Sequence, residues 1–122
     1  MKRVHLFEFE DLKWFPAFLR NYMTDFLQFL TNKTKLFKPS VPFLAELLEE
    51  SGEGKIIDLG SGGGGGLLWI AKELAKSHPN LEIVMTDLYP NISAFEFTKR
   101  KNDVFSYYPE PVDARKVPDD LK

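Results

Sequence analysis

The stretch KIIDLGSGGGGGLLWIAKELAK, residues 55–76, sets a carboxylate and a run of glycines between an apolar segment and a helical pattern. Glycine inside an element costs about 0.5–1 kcal/mol relative to alanine, so five in succession, Gly62 to Gly66, call for bare backbone or a soft linker. A strand feeding a helix through glycines builds a ligand site at the carboxyl end of a sheet. In that reading Gly60 permits a tight turn, Gly62 lets a ligand approach the backbone, and Gly64 lets the helix start close to the strand. The N–H groups at the helix start would favour a negatively charged or carboxylate-bearing ligand.

Two glycine patterns fit. GxGxG uses Gly60, Gly62 and Gly64; GxGxxG, the dinucleotide-binding fingerprint, uses Gly60, Gly62 and Gly65. The run by itself does not choose between them. No Lys-Ser or Lys-Thr follows, which argues against a phosphate-binding loop of a nucleotide hydrolase. Asp87 lies somewhat beyond the usual spacing for an acid that accepts hydrogen bonds from both ribose hydroxyls. The competing role for it is a helix cap or a solvent-facing loop carboxylate. Asp58 stands within an apolar strand, where a carboxylate is costly unless hydrogen-bonded. The preferred expectation is that it accepts N–H bonds from the glycine turn; the other is that it faces a cationic ligand group.

These residues need elements to position them. KIIDL, 55–59, and LEIVMTD, 81–87, are short apolar runs between turn-forming residues, as in strands buried on both faces of a parallel sheet. Leu67, Leu68, Ala71, Leu74 and Ala75 repeat at helical spacing, and His78, Pro79 and Asn80 end that helix. A turn at Pro90-Asn91 leads to a weaker helix over 92–101, then a third strand from Val104 to Tyr108. PEPVDARKVPDDLK reads as a proline-interrupted loop that opens another helix after Pro118. Upstream, Phe15, Phe18, Leu19, Tyr22, Phe26, Phe29 and Leu30 predict an amphipathic helix over 12–30, capped by Asp11 with Pro16 in its first turn. Trp14 and Met23 widen its apolar face. That face either packs on a sheet or another helix, or in part covers a planar ligand. A polar connector, 31–40, precedes a helix starting near Val41, with Ser40 as its cap and Gly52 and Gly54 as its stop. The alternation from residue 41 onward predicts an α/β chain with a Rossmann-like, partial parallel sheet of about three strands, flanking helices and an N-terminal helical segment. Residues 1–40 form the helical cap and connector, and 41–122 the sheet-containing region.

Composition narrows the classes. The 122 residues are 43% hydrophobic, with net charge −2, which fits a folded domain and gives no global pull toward nucleic acid or anionic membrane. Cysteine is absent, so there is no disulfide framework, and a cytoplasmic location is expected. No apolar run approaches about 18 residues, so no membrane span is expected. Glu8, Glu10 and Asp11 interrupt the apolar N-terminus and argue against a secretory signal. Lys33, Lys35 and Lys38, and Lys99 to Lys101, are read as a solvated connector and a helix exterior.

Taken together, IIDLGSGGGG, VMTDLYPN and PVDARKVPDDL resemble the N-terminal half of a class I S-adenosylmethionine-dependent methyltransferase. In that family the first loop cradles the methionine and ribose parts of the cofactor. The acid after the second strand binds the ribose, and an Asp followed by a small residue after the third approaches the adenine amino group. The resemblance thus implies S-adenosylmethionine as cofactor, with contacts from Asp58, Gly60, Ser61, Gly62, Gly64, Asp87, Leu88, Asp113 and Ala114. It implies no catalytic residue and no metal ligand in these motifs, and leaves the methyl acceptor open. Tyr22 and Trp14 are further candidate contacts, with core packing as the simpler role. The family's domain has seven strands, so the expectation is an incomplete domain within a longer enzyme. Its first strand would carry an open apolar edge that favours a homo-oligomer. The rival readings are a dinucleotide-dependent oxidoreductase fragment and a non-catalytic cofactor-binding or interaction domain. The PVDARKVPDDL segment favours the methyltransferase.

Overall fold

The structure, a computed structural model, describes residues 17–34 and 37–122. Three strands form one parallel sheet in the order β1 (Lys55–Leu59), β2 (Glu82–Thr86), β3 (Phe105–Tyr107). Ile56 lies beside Ile83 and Asp58 beside Met85 in the first pair; Ile83 lies beside Phe105 in the second. The helices are α1 (Ala17–Thr34), α2 (Val41–Ser51), α3 (Leu68–Ala75) and α4 (Ile92–Lys101). A short 3₁₀ turn, Gly65–Leu67, leads into α3, and another, Asp119–Leu121, follows Pro118. The expected α/β alternation is therefore present, with strand and helix ends moved by a residue or so.

The alternation of side chains along a strand sorts the core. On one face Ile83, Met85 and Phe105 meet Leu48 of α2, Ile70 and Leu74 of α3, and Phe95 of α4. On the other, Val84 packs with Val112 and Leu121, joined by Ile57 and Tyr108. The helices thus cover one face and the C-terminal segment covers part of the other. Double burial was expected of both apolar strands and holds for β2, where Ile83, Val84, Met85 and Thr86 are all buried. β1 differs: Ile56, Ile57 and Asp58 are half-buried and Leu59 is exposed, because among the described residues β1 pairs only with β2 and forms an edge.

Local signals explain most boundaries. Gly52 ends α2 in the left-handed region at φ 68°, and its N–H donates to the Leu48 carbonyl. Asn91 caps α4 by accepting the Ala94 N–H at 3.2 Å, while Lys99, Arg100 and Lys101 occupy its last turn, where cations suit the helix dipole. Ser40 stands at the predicted cap of α2 but does not cap it. Its hydroxyl donates to the Phe37 carbonyl at 2.6 Å, within a 3₁₀ turn that runs straight into α2. α1 runs to Thr34, past its predicted end and into the predicted connector. Asp11, Trp14, Phe15 and Pro16 lie outside the described residues. The apolar face of α1 is not packed away: Phe18, Tyr22, Phe26 and Phe29 are each more than 60% exposed. The helix instead meets the chain at the 3₁₀ turn before α3. Among the described residues, no helix is long and apolar enough to cross a membrane.

The division within α4 gives a direct test. Phe95 is fully buried and Phe97 is 53% exposed. Phe95→Ala should cost about 3–5 kcal/mol through lost transfer energy and a cavity. Phe97→Ala should stay within about 0.5 kcal/mol of the parent in urea unfolding.

Candidate functional site

A parallel sheet delivers the carboxyl ends of all its strands to one edge, and the glycine loop begins there. As the chain leaves β1, the Gly60 and Ser61 amides both donate to the Thr86 carbonyl, at 3.0 and 2.8 Å. The Thr86 amide donates to Ser61 Oγ at 3.1 Å. The Ser61 and Thr86 hydroxyls both donate to the Asp58 carbonyl, at 3.0 and 2.9 Å. Thr86 is fully buried, so every polar group on it needs a partner, and this knot supplies them.

Beyond the knot, Gly60, Gly62 and Gly64 take φ values of 83°, 59° and 79°. Gly64 is constrained twice. A Cβ there would overlap the Met85 sulfur and press on Phe95 Cδ1 at 3.3 Å. Thr98, buried in α4, supports the same loop by donating its hydroxyl to the Gly63 carbonyl at 3.3 Å.

Asp87 follows β2 directly. Its Oδ2 accepts the Gly62 amide at 2.8 Å, and its Oδ1 accepts the Tyr89 amide at 2.8 Å. Its main-chain carbonyl accepts the Val112 amide at 2.8 Å. Asp87 therefore touches the loops after all three strands.

Asp58 does not do what was expected of it. Its carboxylate receives no glycine-loop amide: Gly60 and Ser61 turn to Thr86, and Gly62 turns to Asp87. The register decides this, since Asp58 lies beside Met85 inside the ladder, one step short of the turn. Burial pushes the Asp58 carboxyl above its ordinary value; the Ser61 hydroxyl opposes that shift and the Asp87 carboxylate adds to it. The Asp87 carboxylate thus acts on Asp58 from the loop after the neighbouring strand.

The third motif is adjacent but turned differently. The Val112–Asp87 bond brings residues 112–114 beside the loop after β2. The Asp113 carboxylate is held by Arg115 through Nε at 2.9 Å and Nη2 at 2.6 Å, and by the Arg115 amide at 2.9 Å. These bonds lower its pKa to about 2. Leu88 and Ala114 are exposed. Asp58, Gly60, Ser61, Gly62, Gly64 and Asp87 are therefore brought into one hydrogen-bonded group, with Asp113 reached through the Val112 main chain. A separate cleft of about 580 Å³ lies between α1, the glycine run and α4, lined by Asn21, Phe29, Gly63, Leu68, Asn91 and Phe97 among others. Asp58, Asp87 and Asp113 are not part of its wall.

Sequence reasoning missed Thr86 and Thr98. The available signal for Thr86 was a hydroxyl closing an otherwise apolar strand immediately before an acid. Thr98 had none, since it reads as one polar position on a helix.

No family model matches the chain, and neither a curated protein nor a solved structure does.

Gly64→Ala combines a left-handed backbone with a steric overlap and should cost at least about 2 kcal/mol in urea unfolding. Asp58 predicts a pH dependence. Its carboxyl is raised on folding, so the folded chain holds the proton more tightly than the unfolded chain. Stability from that proton is fully present below the ordinary value of 3.8 and is lost as pH rises through the raised value. Asp58→Asn should therefore gain in thermal stability over the parent as pH goes from acid to neutral, with the gap narrowing again on acidification.

Proposed function

We propose that this chain binds S-adenosylmethionine at the carboxyl end of its sheet, as the cofactor-binding part of a methyltransferase. The observation that carries this reading is the use of the glycine-loop amides. A dinucleotide site aims such amides at a pyrophosphate. Here the Gly60, Ser61, Gly62 and Gly64 amides are spent on Thr86, Asp87 and Ser61 acceptors within the protein. The carboxylates of Asp58 and Asp87 add negative charge at the same place. A phosphate there would meet repulsion from both carboxylates and find these four amides already engaged. A ligand with a diol and a positive charge would meet acceptors.

The donor set fits that cofactor. Asp87 retains acceptor capacity on both oxygens after taking two amides, because each carboxylate oxygen can accept more than one bond. Asp58 offers a charge whose ionisation a nearby cation would favour. Asp113 would meet the base after exchanging part of its Arg115 contact, and Leu88 would offer apolar area beside it. When bound, the cofactor supplies a methyl group on an activated sulfonium. This chain's part is to hold and orient it, which is where much of the rate of such a transfer can arise. The methyl acceptor, and the group that activates it, are not part of this reading.

The dinucleotide-dependent oxidoreductase is disfavoured by the same amides. A non-catalytic cofactor-binding or interaction domain would share the ligand site and differ in turnover. Calorimetric titration with S-adenosylhomocysteine, and with NADH in parallel, tests the choice. Saturable binding of the first is expected, weakened at least about tenfold by Asp87→Ala through loss of a charged acceptor. Equal or tighter binding of NADH, or no binding of either by the folded chain, overturns the reading.

A further inference from the structure

Asp87 makes more contacts than a ligand-binding acid requires. Its two carboxylate oxygens accept amides from two different loops, Gly62 after β1 and Tyr89 after β2. Its carbonyl accepts the Val112 amide from the segment after β3. Gly62 sits at φ 59°, in a stretch whose glycines have wide conformational freedom in the unfolded chain. Something must select one conformation for that stretch. The Thr86 knot fixes its start, at Gly60 and Ser61, and the overlap around Gly64 fixes its end. Between them two side chains tie the loop to other elements: Thr98 holds the Gly63 carbonyl, and the Asp87 carboxylate holds the Gly62 amide.

We infer that Asp87 is a positioning residue that clasps the three carboxyl-end loops together before any ligand arrives. In this arrangement the glycine loop is held in its receptive shape by a charge-assisted bond, so a ligand does not bear the ordering cost of a mobile polyglycine segment. A diol ligand would join the clasp through the remaining acceptor sites. The inference rests on the reading above for the identity of that ligand, whereas the clasp itself is made of this chain's own atoms.

Amide hydrogen exchange followed by NMR on the ligand-free chain tests it. In Asp87→Ala, the Gly62 and Tyr89 amides should exchange about tenfold or more faster, as expected for loss of a bond to a charged acceptor. The β-ladder amides and the Val112 amide, whose acceptor is main-chain, should keep their rates. Asp87→Asn retains one acceptor oxygen and replaces the other with a donor, so one of the two amides should stay protected and the other lose protection. Unchanged Gly62 exchange in Asp87→Ala with the ladder intact would overturn the clasp. If Asp87→Ala loosens the whole sheet, Asp87→Asn decides: parent-like protection of both amides in that variant also overturns it, and loss at one or both supports it. Because no ligand is present, failure of the clasp and failure of S-adenosylhomocysteine to bind are separate results.

Discussion

The carboxyl end of this sheet is organised by one main-chain acceptor. The Thr86 carbonyl takes both the Gly60 and Ser61 amides, and so turns the chain out of β1 within two residues. Everything in the site is placed relative to that turn. It puts Ser61 Oγ where the Thr86 amide can reach it, and it leaves Gly62 pointing at Asp87. It also starts the glycine run close enough to β2 that Gly64 passes over Met85 with no room for a side chain. Thr86 can serve as this anchor because it is central and buried. Its own polar groups then have nowhere else to go, and the cost of leaving them unpaired holds the knot closed.

A consequence is that the glycines act structurally before they act on any ligand. A run of this kind is commonly valued for amides exposed to an anion. In this chain the loop folds back on its own acceptors, and the local charge is carboxylate. The electrostatic character of the site therefore comes from Asp58 and Asp87 rather than from the loop's amides. Each of these acids is held differently. Asp87 is stabilised by two amides, whereas Asp58 is partly desolvated within the ladder and has its carboxyl raised. The cost of ionising Asp58 is the kind that a cation can offset and that a phosphate would deepen.

Much of this was legible in the sequence, and the parts that were not share a cause. IIDL and EIVMT announce strands because continuous β-branched and apolar residues stand between glycines or turn residues. Gly60, Gly62 and Gly64 mark a turn because no other residue type takes those backbone angles cheaply. Which carboxylate would receive the Gly62 amide was not legible. That depends on the register pairing Asp58 with Met85 and Leu59 with Thr86, between residues 27 apart in the chain. A single step of register would change which β2 residues face the turn after β1, and with them the acceptor that Gly62 meets. Ser40 failed as a cap for a more local reason, since its hydroxyl found the Phe37 carbonyl three residues back. The amphipathic pattern of α1 foretold a helix correctly, but periodicity states which face is apolar and not what covers it.

The edge position of β1 links these observations. A central strand is pinned by ladders on both sides, but among the described residues β1 has one, and its residues are half-buried at the middle and exposed at both ends. The loop that follows an edge strand would ordinarily inherit that looseness. Here the contacts that reach Gly60, Gly62 and Gly63 come from the β2 side or from α4: the Thr86 knot, the Asp87 carboxylate, and Thr98 on the Gly63 carbonyl. β2 is the most completely buried element of the sheet and lies between the other two strands. The glycine loop thus takes its order from the neighbouring strand rather than from the one that leads into it. That explains why an acid and a threonine at the end of β2 matter as much to the loop's shape as the glycines themselves.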